Sequence, residues 1–391
     1  MRTSYFTATL AVTVGVNALP QITPATLLAP ALPLSRYDTK KFTTLLSFDD
    51  ILGGKFPKPS EIIGGIINTL GDLTGNKGSG LLGNLFGKPQ NQAAGKKEEP
   101  STSTPAVDDT VSTKATCSNP RVRQEWDSYS NSDRQAFVSA IRCLMNRAPS
   151  GQFSQAKSRY EDLVALHQTL TPNVHGNSKF LLWHRYYLFT FEDLLRSECG
   201  FDRALPWWDE TRYSGRFADS SIFSDQWFGG VNAGGNCITN GQFANLAINV
   251  GPGSRNELHC LARNNDDSKT INTNSQMVNG CNNQQSYANM NSCSEGSAHA
   301  WGHNGIGAVM QDTWASPADP VFWLHHAFID RNFRIWQNAN SARVNSVDGN
   351  DAAGNRLTLD TTVNVYDIRP TVRVRDILDT TSTTLCYKYN Y

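Results

Sequence analysis

From residue 117 onward the hydrophobic positions fall into helical runs separated by polar, glycine-rich stretches, and the first 116 residues follow neither pattern. Between Ser154 and Leu170 the apolar residues Tyr160, Leu163, Leu166 and Leu170 recur at three- and four-residue spacing, the period that lines one face of an α-helix. Lys179 to Glu198 repeats the pattern with Phe180, Leu181, Trp183, Tyr187, Leu188, Phe191 and Leu195. Ser132 and Asp133 can cap a further helix running to about Asn146. Helical segments around Ala298 to His303 and from Val321 to Gln337 complete the set, and residues 210 to 295, rich in Gly, Asn and Ser, read as long loops. The pattern predicts a mainly α fold, a four-helix bundle surrounded by long loops and few short strands.

The amino-terminal part divides differently. After Arg2, the apolar run from Tyr5 to Val16 is too short to span a bilayer, and Val16-Asn17-Ala18 supplies the small residues of a cleavage site. Residues 1–18 therefore read as a signal peptide and the protein as secreted. Residues 19–116 carry Gly-rich apolar runs such as Ile62 to Ile67 and Leu81 to Phe86, then a polar stretch from Pro89 to Thr116. They read as an extension plus linker, either a pro-segment processed near Lys96-Lys97 or a tail without a role. Residues 117–391 contain no repeat and no linker, which suits one large domain with a single core.

Charge adds an exclusion. With 35 basic and 35 acidic side chains, nothing favours nucleic acid or an anionic membrane as partner; small neutral ligands fit better. All 8 cysteines lie from position 117 onward, an even number that suits disulfides in an exported chain. Cys281/Cys293 and Cys237/Cys260 are near in sequence, and Cys117/Cys386 would tie the ends of the core. No Cys-x-x-Cys spacing points to zinc, and no Asn-x-Ser/Thr sequon is present.

Metal ligation falls instead to histidines. His167, His175 and His184 form one triplet; His299, His303 and one of the pair His325/His326 form a second. His299 and His303 lie one helical turn apart and can share an ion. His325 and His326 point about 100° apart on a helix, so one of them is a ligand at most. A di-iron carboxylate site wants Glu three residues before its His, and those offsets hold Val164, Pro172, Leu181, Gly296, Ala300 and Trp323. Six neutral imidazoles without carboxylate or thiolate suit two copper ions cycling between Cu(I) and Cu(II), a site for O2.

Two stretches resemble a known family. His175-Gly-Asn-Ser-Lys-Phe-Leu-Leu-Trp-His184-Arg-Tyr-Tyr-Leu-Phe-Thr-Phe-Glu192 is similar to the copper A signature of tyrosinases, catechol oxidases and molluscan haemocyanins, and Asp319-Pro-Val-Phe-Trp-Leu-His-His326-Ala-Phe-Ile-Asp330 to their copper B signature. The resemblance implies that His167, His175 and His184 hold copper A (CuA), that His299, His303 and His326 hold copper B (CuB), and that His325 is not a ligand. Leu205-Pro-Trp-Trp-Asp209 resembles the family's Pro-Tyr-Trp-Asp element and Tyr387-Lys-Tyr389 its Tyr-x-Tyr motif, against which Arg121 or Arg123 is expected to stack. Many members link a cysteine to the second copper A histidine; position 173 is Asn and no matching Cys is present, so no such cross-link is expected. The chain stops two residues after Tyr389, so a covering C-terminal domain is not expected, and any shield would be the N-terminal segment.

The implied activity is oxidation of small phenolic substrates, o-diphenols, to o-quinones with O2. Hydroxylation of monophenols would need a base, and Glu295, four residues before His299, matches the position where the family holds a water beside copper B. The residue after the first copper B histidine, often Asn in strong monophenolases, is Ala300, with Asn304 as a substitute after His303. A haemocyanin-like oxygen carrier, an o-aminophenol or methoxyphenol oxidase and a dizinc hydrolase are the alternatives.

Overall fold

A computed structural model describes residues 116–391; the expected signal peptide and the extension, up to residue 115, lie outside the described residues. The backbone runs through β1 (Arg121–Arg123), α1 (Asn131–Asn146), α2 (Arg159–Val174) and α3 (Phe180–Cys199), then β2 (Ala247–Ile248), β3 (His259–Cys260) and α4 (Asp267–Thr270). It continues through α5 (Ser275–Asn282), α6 (Tyr287–Ser294), a π-helical turn (Glu295–His299), α7 (Ala300–Ile306) and α8 (Val321–Asn338), and closes with β4 (Thr362–Val363), β5 (Val372–Arg373), α9 (Val374–Ile377) and β6 (Tyr387–Tyr389). The fold is mainly helical, and its strands form three two-stranded sheets.

Local chemistry sets the helix limits. Ser130 accepts from the Asp133 amide to start α1. Ser158 does the same with the Glu161 amide for α2, which therefore begins later than the apolar pattern alone suggests. Gly200, at φ 65°, ends α3 in the left-handed conformation that a side chain disfavours. The stretch expected as loop between 210 and 295 contains α4, α5 and α6. Few apolar residues mark them, yet Asn274 and Ser286 cap α5 and α6 by accepting from the amides of Met277 and Asn289.

Helices α2, α3 and α8 meet in a dry aromatic core. The Trp323 ring stacks on Phe191 with centroids 3.8 Å apart, and its indole N–H donates to the Tyr160 hydroxyl at 2.9 Å, which in turn donates to the Pro317 carbonyl at 2.7 Å. Helix α7 approaches α4 closely enough that a Cβ on Gly305 would lie 2.3 Å from the Thr270 side chain.

The two ends of the domain are tied together. Strand β1 pairs in parallel with β6, placing Arg121 opposite Tyr387 and Arg123 opposite Tyr389. Arg123 stacks over the Tyr387 ring at 3.5 Å, so Arg123 is the stacking partner, and Arg121 reaches Glu192 and the Leu385 carbonyl instead. Disulfides join Cys117–Cys386, Cys237–Cys260 and Cys281–Cys293 as expected, and a fourth, Cys143–Cys199, pins α1 to α3. No free cysteine is left for a thioether link to His175. Among the described residues no helix is long and apolar enough to cross a membrane.

Candidate metal centre

The bundle brings both histidine triplets into its interior. Helix α2 carries His167 and ends at His175, and α3 carries His184 one turn from its start. The π turn ends at His299, α7 supplies His303, and α8 supplies His325 and His326. One group comprises His167, His175 and His184, the other His299, His303, His325 and His326, with potential donor atoms inside each group no more than 4.8 Å apart. The groups abut, since the His184 and His326 rings stack with centroids 4.5 Å apart.

Backbone carbonyls fix how these rings present themselves. The Nδ1 of His167 faces the Trp314 carbonyl at 2.9 Å, that of His175 the Thr171 carbonyl at 3.2 Å and that of His184 the Phe180 carbonyl at 2.8 Å. His299 Nδ1 faces the Glu295 carbonyl at 3.0 Å and His303 Nδ1 the Met310 carbonyl at 2.6 Å. A carbonyl only accepts, so each Nδ1 carries the proton and each Nε2 keeps a lone pair, the tautomer a metal ligand needs. Nε2 of His167 and of His184 is buried without a hydrogen-bond partner. His303 Nε2 lies 3.2 Å from His326 Nε2, close to the roughly 3.3 Å that separates two nitrogens bound tetrahedrally to one ion at about 2.0 Å.

The surroundings keep the rings neutral. Burial pushes His167 down to about 4, against the opposing carbonyl bond. His175, His184, His299, His303 and His326 are held well below the ordinary value by burial first and by one another second. Phe180 wedges between His184 and His299 at 4.6 and 4.5 Å, and Phe322 stacks on His326 at 4.0 Å. Of the aromatic residues flanking the histidines, Trp323 faces the core beyond them, against Phe191.

Glu295 and Asn304 are both brought to this centre. Glu295 is buried in the π turn, with its carbonyl at His299 and a carboxylate oxygen accepting the Gly176 amide at 2.8 Å, next to His175. One residue thus touches the supports of both groups. Burial raises its carboxyl to about 8, partly offset by the Gly176 bond. Asn304 is buried beside His303 with neither side-chain polar atom hydrogen-bonded.

One participant was not visible in the sequence. Glu210 follows the Leu205–Asp209 element and accepts a short hydrogen bond from His325 Nδ1, with both side chains fully buried. Burial raises the Glu210 carboxyl against the pull of His325. The two lie 115 positions apart, so no spacing rule joins them.

Comparison with known proteins agrees with this architecture. Residues 157–339 match the family model described as the common central domain of tyrosinase. Tyrosinase ustQ of Aspergillus flavus is 33% identical over 303 residues, which cover 72% of this chain and 82% of the relative. The N-acetyl-6-hydroxytryptophan oxidase ivoB of Emericella nidulans is 27% identical over 338 residues, 69% of this chain and 92% of the relative. The structure of a polyphenol oxidase mutant from Thermothelomyces thermophila superposes with a TM-score of 0.65 at 25% identity, covering 70% of this chain and 89% of that one. The matched stretch contains both buried histidine groups and the helices that hold them, and on these likenesses the chain belongs to the tyrosinase family.

Proposed function

We propose that the protein is a secreted copper oxidase that converts o-diphenols to o-quinones with O2. His167, His175 and His184 would hold one copper and His299, His303 and His326 the other. The observation that carries this reading is the pair of abutting, buried histidine groups, in which backbone carbonyls fix the lone pairs of His167, His175, His184, His299 and His303 and the Phe322 ring stacks on His326. Such ligands tolerate both Cu(I) and Cu(II), and a pair of coppers supplies the electron transfer between phenol and O2.

The residues around the centre supply the rest. Phe180 and Phe322 exclude water from one side of the rings and stiffen them. An o-diphenol surrenders two electrons and two protons, and two such molecules reduce one O2 to two waters. Glu295, its carboxyl raised to about 8, is suited to take a phenolic proton near neutral pH, and Asn304, next to His303 in the chain, offers an unpartnered amide to hold a water. Four disulfides require an oxidising compartment, which supports export.

The deciding experiment combines copper counting with turnover. The copper-loaded protein is expected to hold two coppers per chain and to consume O2 while oxidising 4-tert-butylcatechol. Reversible O2 binding without quinone would instead mark an oxygen carrier, and two zincs a hydrolase. Hydroxyindoles belong in the same panel, because the Emericella nidulans relative is named for a hydroxytryptophan substrate.

Glu295 has its own test. Glu295→Gln is expected to lower hydroxylation of tyramine about 100-fold, the lower range for loss of a general base, while catechol oxidation falls only a few-fold. Initial rates on both substrates check this; equal losses would reject the role as base.

A further inference from the structure

Among the seven histidines gathered in the centre, His325 turns its Nδ1 to a carboxylate, that of Glu210. Its ring lies 4.5 Å from that of His303, 5.5 Å from His299 and 5.2 Å from His326. Nε2 of His325 is buried without a hydrogen-bond partner, and so is the second carboxylate oxygen of Glu210. The pair is wedged against α7, the helix that carries His303 and follows directly on His299. A Cβ on Gly302 would sit 2.5 Å from His325 Cε1 and 2.9 Å from Glu210 Oε2, so only glycine lets α7 pass this close.

An unbalanced carboxylate is costly in a dry interior. Glu210 meets no Arg or Lys in any ion pair found among the described residues; its partner is an imidazole. The six rings assigned to the coppers carry no charge of their own, so a cation in the second group would gain from a negative charge one ring away. Carboxylates bonded directly to ligating histidines strengthen metal centres, and here the carboxylate stands one ring further out, behind the non-ligand His325.

We propose that Glu210, acting through His325, is a positioning residue that places negative charge beside the second histidine group and sets how tightly the metal there is held. The inference rests on the copper reading above. It differs from a tether role, in which the pair merely fastens the Glu210–Tyr213 turn to α8 and both metals would be affected alike.

The test is release of copper from the full-length, copper-loaded protein into increasing EDTA, with the metal retained per chain counted after desalting. In Glu210→Gln, one of the two coppers is expected to leave at about threefold lower chelator than in the wild type, below the roughly 10–100-fold range for loss of a partner bonded directly to a metal ligand, with the other unchanged. Glu210→Asp, which keeps the charge but withdraws it by one methylene, should shift the same copper by less; it serves alone if the Gln variant does not fold. Release identical to the wild type, or an equal shift of both coppers, would overturn the proposal. A wild type that binds no copper would overturn the copper reading itself, whereas two coppers released unchanged from the variants would reject only the role of Glu210.

Discussion

Replacing His326 with alanine is expected to leave one copper per chain and to cut catechol oxidation by more than about 100-fold, beyond the 10–100-fold range seen when only a partner behind a ligand is lost. His325→Ala is expected to retain both coppers at stoichiometric loading and to stay within that range. The two residues are neighbours on α8, yet their surroundings differ. His326 stacks on His184 of the other group at 4.5 Å, stacks on Phe322 at 4.0 Å and sets its Nε2 3.2 Å from that of His303. It therefore stands between the groups. His325 turns its Nδ1 away to Glu210 and stacks on neither Phe180 nor Phe322 in any contact found. Metal analysis by atomic emission, with O2 uptake on catechol, checks both variants. Loss of a copper from His325→Ala with retention in His326→Ala would reverse the assignment.

How much of this could be read from the chain depends on the range of the interaction. Helices α2, α3 and α8 are long and bury one face, so Leu163, Leu166, Phe191 and Trp323 repeat at helical spacing and reveal them. Histidines within those helices inherit the pattern, and His299 and His303 showed through their own four-residue spacing. The short α5 and α6 bury only a few residues each, Met277, Val278 and Met290 among them, too few to set a period; their caps at Asn274 and Ser286 were the readable signal. The π turn is harder still. An extra residue in the turn, with Ser297 at φ −114° and ψ −114°, breaks the period that would place Glu295 and His299 on one face. The Cys143–Cys199 bond and the Glu210–His325 pair are set by tertiary packing alone, across 56 and 115 residues.

The second large effect concerns stability. Asp330, one turn beyond His326 on α8, accepts from Arg185 at 2.6 Å and from the Tyr387 and Tyr389 hydroxyls at 2.5 Å each, with Arg123 at 3.6 Å. Arg123 in turn binds Glu192 at 2.6 Å, and all of these groups are buried. Burial alone would raise the Asp330 carboxyl, but Arg185 and Arg123 outweigh it and hold it below the ordinary value. Asp330→Asn leaves the buried Arg185 guanidinium without a carboxylate, while Arg123 keeps only Glu192. The expected cost is about 3–5 kcal/mol, the range for breaking a buried pair from one side. In a domain of this size that lowers Tm by roughly 10 °C. The sign with pH follows from the lowered carboxyl. Its contribution is complete above the ordinary aspartate range and is lost as pH falls through the lower folded value, so the gap between wild type and variant should be constant near neutrality and narrow in acid. Because Asp330 also fixes the helix that carries His326 to the β6 strand and to Arg185 on α3, the variant should release copper on heating at the lower temperature at which it unfolds. Thermal scans at several pH values, with copper release followed in parallel, check both; a gap that widens in acid would show that the stabilising species is not the ionised carboxylate.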